Sequence, residues 1–135
     1  MSKFELRHAL EEDKDAVVAF LNLHWGSNHP LVNDELFFNH YYRSEKGIQF
    51  CLAWDEEGIA AVCGYIRSNC GPAPDVWISI WCARKNAKGA GLELMAAMPA
   101  LTQCRILSCN NIRENTIPFY TFLGYTAARL PHYYR

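Results

Sequence analysis

The sequence predicts a single mixed α/β (α+β) domain. Three observations predict it. Helical periodicity dominates the first third of the chain, and period-two apolar runs follow from Gly47 onward. A basic, glycine-bearing turn, Arg84-Lys85-Asn86-Ala87-Lys88-Gly89-Ala90-Gly91, then feeds a second helical pattern. The order of elements reads β-α-α-β-β-β-α-β-α-β.

Residues 3–9 place Phe4, Leu6 and His8 on one face of a short strand. Glu11, Glu12 and Asp13 follow, acids that suit a helix N-terminus. Val17, Phe20, Leu21 and His24 then recur at the i, i+3, i+4, i+7 spacing of one helical stripe. Residues 26–32 break this helix as a loop. Asn33 is the expected cap of a second helix over residues 34–43, with Asp34 and Glu35 in its first turn. Residues 48–54 and 59–66 are strand-like runs joined by Asp55-Glu56-Glu57-Gly58, a hairpin signal. Residues 68–74 form a loop. Residues 75–83 set Val76, Ile78, Ile80 and Cys82 against Trp77, Ser79 and Trp81; bulk on both sides predicts a strand buried on both faces. Leu92, Met95 and Ala96 mark one side of the next helix, which Pro99 is expected to kink or shorten. Residues 105–110 read as a strand, residues 114–125 as a short helix closed by Gly124, and residues 126–135 as a last strand.

The totals narrow the function classes. A chain of 135 residues, 50% hydrophobic and 20% charged, supports one core. A formal net charge of -1 removes any whole-molecule argument for nucleic acid or an anionic membrane as partner. No apolar run approaches the ~18 residues of a membrane span. The first residues lack the apolar stretch of a signal peptide, so a cytoplasmic protein is expected. The cysteines, at positions 51, 63, 70, 82, 104 and 109, form no CxxC and have no histidine at metal-site spacing. No metal is therefore expected. The reading is free thiols in a reducing compartment, several acting as small core residues, against a disulfide framework or a zinc site.

The basic turn is the segment with chemistry in it. The first N–H groups of a helix have no intrahelical partner, and the helix dipole adds partial positive charge there. A phosphate or pyrophosphate satisfies both. Gly89 and Gly91 let backbone approach such a ligand, and Lys85 and Lys88 add charge. The segment contains neither GxxxxGK[ST] nor a full GxGxxG, so a P-loop and a dinucleotide fold are both disfavoured. The competing account is a tight turn that simply packs well.

The order of elements, together with two local patterns, resembles the GCN5-related N-acetyltransferase (GNAT) family. In that family a central strand leads to a pyrophosphate loop of pattern Q/R-x-x-G-x-G/A and then a helix. Here the loop reads Asn86-Ala87-Lys88-Gly89-Ala90-Gly91, with both small positions kept and Asn86 in place of Gln or Arg. The family's Tyr-x-x-x-Gly-Phe pattern corresponds to Tyr120-Thr121-Phe122-Leu123-Gly124-Tyr125, while Arg113 stands where an Asn is common. The resemblance implies a central mixed, mostly antiparallel sheet flanked by helices, with acetyl-CoA as co-substrate and a small amine as acceptor. A looser likeness is to acetyltransferase-type domains of longer bacterial proteins of surface-polysaccharide and sugar-nucleotide pathways. It extends the expectation to an amino-sugar acceptor, and either to residues 1–135 as the N-terminal domain of something longer or to a homodimer that lends a strand.

The resemblance also implies roles. The strand at Ile80 to Cys82 should splay from its neighbour, so that Trp81 and Cys82 present backbone amides to the pantetheine arm and the thioester. Asn86, Ala87, Lys88, Gly89, Ala90 and Gly91 should hold the diphosphate. Tyr120 is the expected general acid, because a phenol of pKa ~10 is close to that of an alkyl thiol. His29, in the loop that walls the acceptor site, is the candidate base, with a water chain as the other route. Trp25, Trp77, Trp81, Phe37, Phe38, Tyr41 and Tyr42 either line that cleft or fill the core, and Phe38 with Tyr42 is the pair that decides. The rival reading is a non-catalytic domain of the same shape, serving a larger enzyme as a binding or docking module. Other acyl groups also remain open.

Overall fold

The computed structural model describes residues 2–69, 71–110 and 112–131. In chain order the elements are β1 (Glu5–His8), α1 (Lys14–His24), α2 (Pro30–Asn33), α3 (Glu35–Tyr42), β2 (Arg43–Ser44), β3 (Gly47–Ile48), β4 (Phe50–Asp55), β5 (Gly58–Arg67), β6 (Asp75–Ala83), α4 (Ala90–Thr102), β7 (Ile106–Ser108) and α5 (Ile117–Phe122). The main sheet has the order β1-β4-β5-β6-β7, and β2 with β3 forms a small ribbon beside it. The first three pairings of the main sheet are antiparallel, and β6 against β7 is parallel.

Period-two alternation sorts the strand residues onto two cores. Cys51, Ala53, Ala61 and Cys63 face one side with Leu94, Met95 and Met98 of α4 and Tyr120 of α5. Their small size lets α4 lie close to the sheet. Phe50, Leu52 and Val62 face the other side with Val17, Phe20 and Leu21 of α1 and Phe38 and Tyr42 of α3. Phe38 and Tyr42 are fully buried, so this pair belongs to the core and not to a cleft. The described cysteines, Cys51, Cys63, Cys82, Cys104 and Cys109, are all free, and Cys51 lies directly opposite Cys63 across β4 and β5. Cys70 lies outside the described residues.

Several expectations are corrected. The loop over residues 26–32 contains the start of α2, set by His29 as cap with Pro30 at its first position. The cap of the next helix is Asp34, not Asn33; its carboxylate accepts from the amides of Leu36 and Phe37. Pro99 does not end α4, which runs on to Thr102. The buried stripe of that helix is Ala90, Leu94, Met95 and Met98, and Ala96 is exposed. Strand β6 is not buried on both faces, since Ser79 is exposed and Trp77 is 39% exposed. Residues 126–131 form no strand, and the rest of that expected strand, residues 132–135, lies outside the described residues.

Candidate active site

Strand β6 changes faces midway. Its pairing with β5 steps from Gly64↔Ile80 to Tyr65↔Ile78, which leaves Ser79 without a partner. This is a β-bulge, and it rotates the residues that follow. Val76 and Ile78 pack in the α4 core, whereas Ile80 packs in the α1–α3 core with Cys82 against it. The ladder to β7 stops at Trp77↔Ser108, just before the bulge. From Ile78 onward β6 has a free edge on that side. Beside β7 lies an open cleft of about 1400 Å³ whose walls include Leu107, Cys109, Tyr120 and Tyr125.

Next comes the loop. Ala87 is buried, and its amide donates to Arg84 O at 3.0 Å; the Ala90 amide donates to Ala87 O at 3.1 Å. These two bonds close a tight turn that delivers Gly89, at φ 86°, as the cap of α4. A positive φ of this size favours glycine. The amides of Asn86, Lys88, Gly89, Gly91 and Leu92 donate to no acceptor among the described residues. Nothing lies within 4 Å of where a Cβ on Gly89 would be. The turn is thus an open cradle of donors at the N-terminus of a thirteen-residue helix.

Its charges are sorted by pairing. Arg84 is consumed: it pairs with Asp55, lies 3.7 Å from Glu57, and donates to Ile59 O at 2.8 Å. Arg84 Nε also donates to Asn86 Oδ1 at 2.6 Å, and the Asn86 amide reaches Glu57 at 3.4 Å. Asn86 therefore braces the turn against the β4–β5 hairpin. Lys85 and Lys88 are exposed and form no ion pair among the described residues.

Trp81 has a side-chain role that the sequence did not suggest. Its indole Nε1 donates to Gly91 O at 3.0 Å. A Cβ on Gly91 would sit 3.3 Å from both this nitrogen and Ala83 Cβ, so Gly91 is needed for close approach of helix and strand. The same indole meets the Tyr120 ring edge-on at 5.4 Å. Tyr120 is 6% exposed, and its hydroxyl lies 3.6 Å from Cys109 Sγ. With the thiol donating to Asn110 O, the Tyr120 hydroxyl donates to the sulfur. Burial first, and then the Cys109 contact, push the phenol well above its usual range. The near match to a thiol expected from the sequence is not kept.

On the opposite face Tyr42 Oη and Ser79 Oγ are 2.6 Å apart. Burial raises the Tyr42 phenol to about 12, opposed by the Ser79 hydrogen bond. The pair anchors the bulge to α3. Trp77 lies beyond it, half-exposed, with Ile66 and Ser108 as its cross-strand neighbours. His29 sits apart on the loop before α2. Its Nδ1 accepts from the Leu31 amide at 3.2 Å, and its ring packs on Trp25 at 4.7 Å. No hydrogen bond joins it to the loop or to Tyr120 among the described residues.

No family model matches the chain, and no curated protein matches it. Solved structures do. The aminoglycoside N-acetyltransferase AAC(6')-Iy, solved with a CoA-linked bisubstrate analogue, is 14% identical, with 99% of this chain and 98% of that chain covered at a TM-score of 0.69. The aminoglycoside 6'-N-acetyltransferase AAC(6')-Ih of Acinetobacter baumannii is 12% identical at 98% and 97% coverage, with a TM-score of 0.65. A transcriptional regulator from Bacillus halodurans is 15% identical at 98% and 99% coverage, with a TM-score of 0.66. The common element of these likenesses is the architecture, and the chain carries the GCN5-related N-acetyltransferase fold along its length.

Proposed function

We propose that this protein is an N-acetyltransferase that uses acetyl-CoA to acetylate a small primary amine. The observation that carries the reading is the split between β6 and β7 at the Ser79 bulge, lying next to a loop of unpaired amides at the head of α4. Bound acetyl-CoA supplies the thioester carbonyl that an amine attacks. The amides of Lys88, Gly89, Gly91 and Leu92 hold its diphosphate, with Lys85 and Lys88 adding charge and Asn86, Ala87 and Ala90 keeping the turn closed. The free edge of β6 at Trp81 and Cys82 receives the pantetheine arm as a strand would. That positions the reacting atoms, which is the largest part of the work in a two-substrate transfer.

Tyr120 acts as a hydrogen-bond donor. Its hydroxyl already donates to one sulfur, that of Cys109, and would turn to the sulfur of the coenzyme. A phenol raised this far stays protonated, so it stabilises a departing thiolate by donation. The amine must lose a proton. His29 is the candidate acceptor on the α1–α3 side, and water the second route. An amino sugar is the acceptor class favoured here. A half-exposed indole, Trp77, with the hydroxyls of Ser79 and Ser108 beside it, offers a stacking face and hydrogen bonds to a ring that carries both.

The test is thermal melting with acetyl-CoA, followed by thiol release with a panel of amines. Coenzyme at a hundred times its Kd adds about 2.7 kcal/mol, a shift of several degrees for a domain of this size. Amino sugars should then turn over faster than amino acids or polyamines. The absence of any melting shift at millimolar acetyl-CoA would rule the reading out.

A further inference from the structure

The two ends of α4 border different cavities. Its first turn borders the amide loop. Its last turn, thirteen residues on and roughly 20 Å away by helical rise, closes a cavity of about 320 Å³. That volume lies at the lower end of the ligand-pocket range. The cavity sits where β1 ends and β5 runs out, on the α4 side of the sheet, since His8 pairs with Cys51 of that core.

Its formal charges are of one sign. Lys46, from the turn between β2 and β3, and Arg67, at the end of β5, supply two cations. Neither pairs with a carboxylate among the described residues, and no acid lines the cavity. Arg67 spends one N–H on Gly71 O at 2.8 Å, which holds the guanidinium in place.

The neutral polar groups of the lining include open acceptors. Gln49 is 8% exposed, and its Nε2 donates to Tyr41 O and Tyr65 O, each at 3.1 Å. Two carbonyl partners fix which end of the amide is nitrogen. Gln49 Oε1 then accepts from nothing among the described residues and stays open to a donor in the cavity. His8 Nδ1 lies 2.8 Å from Ala9 O, which only accepts, so Nδ1 carries the proton. In the neutral ring His8 Nε2 then accepts from the Tyr65 hydroxyl at 2.6 Å, and the phenol oxygen has lone pairs to offer. The last turn of α4 adds its negative dipole end, with Gln103 at φ 54° and no backbone N–H returned to the helix.

A ligand that suits two unpaired cations together with open acceptors carries a carboxylate and an ammonium group a few bonds apart. We propose that this cavity binds a small zwitterion of amino-acid type. The carboxylate lies against Lys46 and Arg67, and the ammonium against Gln49 Oε1 and the end of α4. The site is separate from the amide loop and does not depend on the acetyltransferase reading.

The experiment is a titration of the full chain followed by ¹H–¹⁵N spectra, with L-norvaline as the zwitterion and valerate and butylamine as its two halves. L-norvaline should move the amides of Lys46, Gln49, Tyr65 and Arg67 saturably, and each half should bind at least about tenfold more weakly. The Lys46→Gln/Arg67→Gln double variant removes only exposed side chains. It should weaken norvaline by roughly tenfold or more and leave acetyl-CoA affinity unchanged. Valerate binding as tightly as norvaline, shifts that survive in the double variant, or no saturable shift at those amides would each overturn the proposal. Because the readout needs no acetyl transfer, failure here and failure of the acetyl-CoA test are told apart.

Discussion

Tyr120 is a residue whose surroundings change what it offers. An exposed phenol ionises at pH ~10, but burial and the Cys109 contact raise this one well above that. A group raised in this way keeps its proton throughout the usable alkaline range. The rate should therefore show no alkaline fall near pH 10 that depends on Tyr120. Tyr120→Phe keeps the ring that packs on Trp81 and removes only a long contact to sulfur. Stability should change by less than about 1 kcal/mol. Turnover should fall by about 10²-fold with acetyl-CoA affinity unchanged, as steady-state rates and titration would show. An unchanged rate would remove Tyr120 from the chemistry. Tyr120 was legible because its pattern with Gly124 is local. The bracing of Arg84 by Asp55 was not, because 29 positions separate them and the registers of β4 with β5 and of β5 with β6 together bring them side by side.

At the scale of elements, the two glycines of the loop do different work. Gly89 carries a positive φ with open space around it, so Gly89→Ala meets backbone strain alone, about 1–2 kcal/mol. Gly89→Asn should cost less, since asparagine tolerates the left-handed region better. Gly91→Ala meets Trp81 and Ala83 instead and forces strand and helix apart by a few tenths of an ångström, which costs about 1–3 kcal/mol. Urea unfolding would rank the three variants, and equal losses for Gly89→Ala and Gly89→Asn would contradict the conformational argument. The G-x-G spacing was legible as one feature. Its division into a turn glycine and a packing glycine was not, because the second depends on a tryptophan ten positions earlier, in the preceding strand. The bulge at Ser79 escaped for a related reason: bulky residues on both sides of the alternation predicted double burial, whereas one unpaired residue moves the later half of β6 to the other core. Strand existence was legible from the apolar runs over 48–54, 59–66 and 75–83, but a closing strand over 126–131 was not formed, where a few apolar residues lack a regular period.

At the scale of the whole molecule, one ion pair ties the first helix to the edge strand of the sheet. Arg7 of β1 grips Asp13 with two hydrogen bonds of 2.7 and 3.1 Å, lies over the Trp54 ring, and donates to His8 O. Asp13 also accepts from the Leu10 amide at 2.7 Å and leads directly into α1. The pair thus fixes the first helix to the edge of the sheet. The Arg7 hydrogen bond, assisted by the Leu10 amide, holds the Asp13 carboxyl below its usual range, even though burial opposes this. A carboxylate depressed in the folded state adds stability that is fully present above its unfolded value. That stability is lost as pH falls through the folded one. Asp13→Asn removes the charge at every pH. At pH 7 it should cost about 2 kcal/mol and lower Tm by roughly 5–10 °C. The difference should shrink below the ordinary carboxylate range and vanish near the acid limit, where wild-type Asp13 is itself protonated. Melting curves of the two proteins across pH would measure this. Profiles that run parallel down to strong acid would mean that the pair contributes nothing through its charge, and that α1 is held by its buried Val17, Phe20 and Leu21 alone.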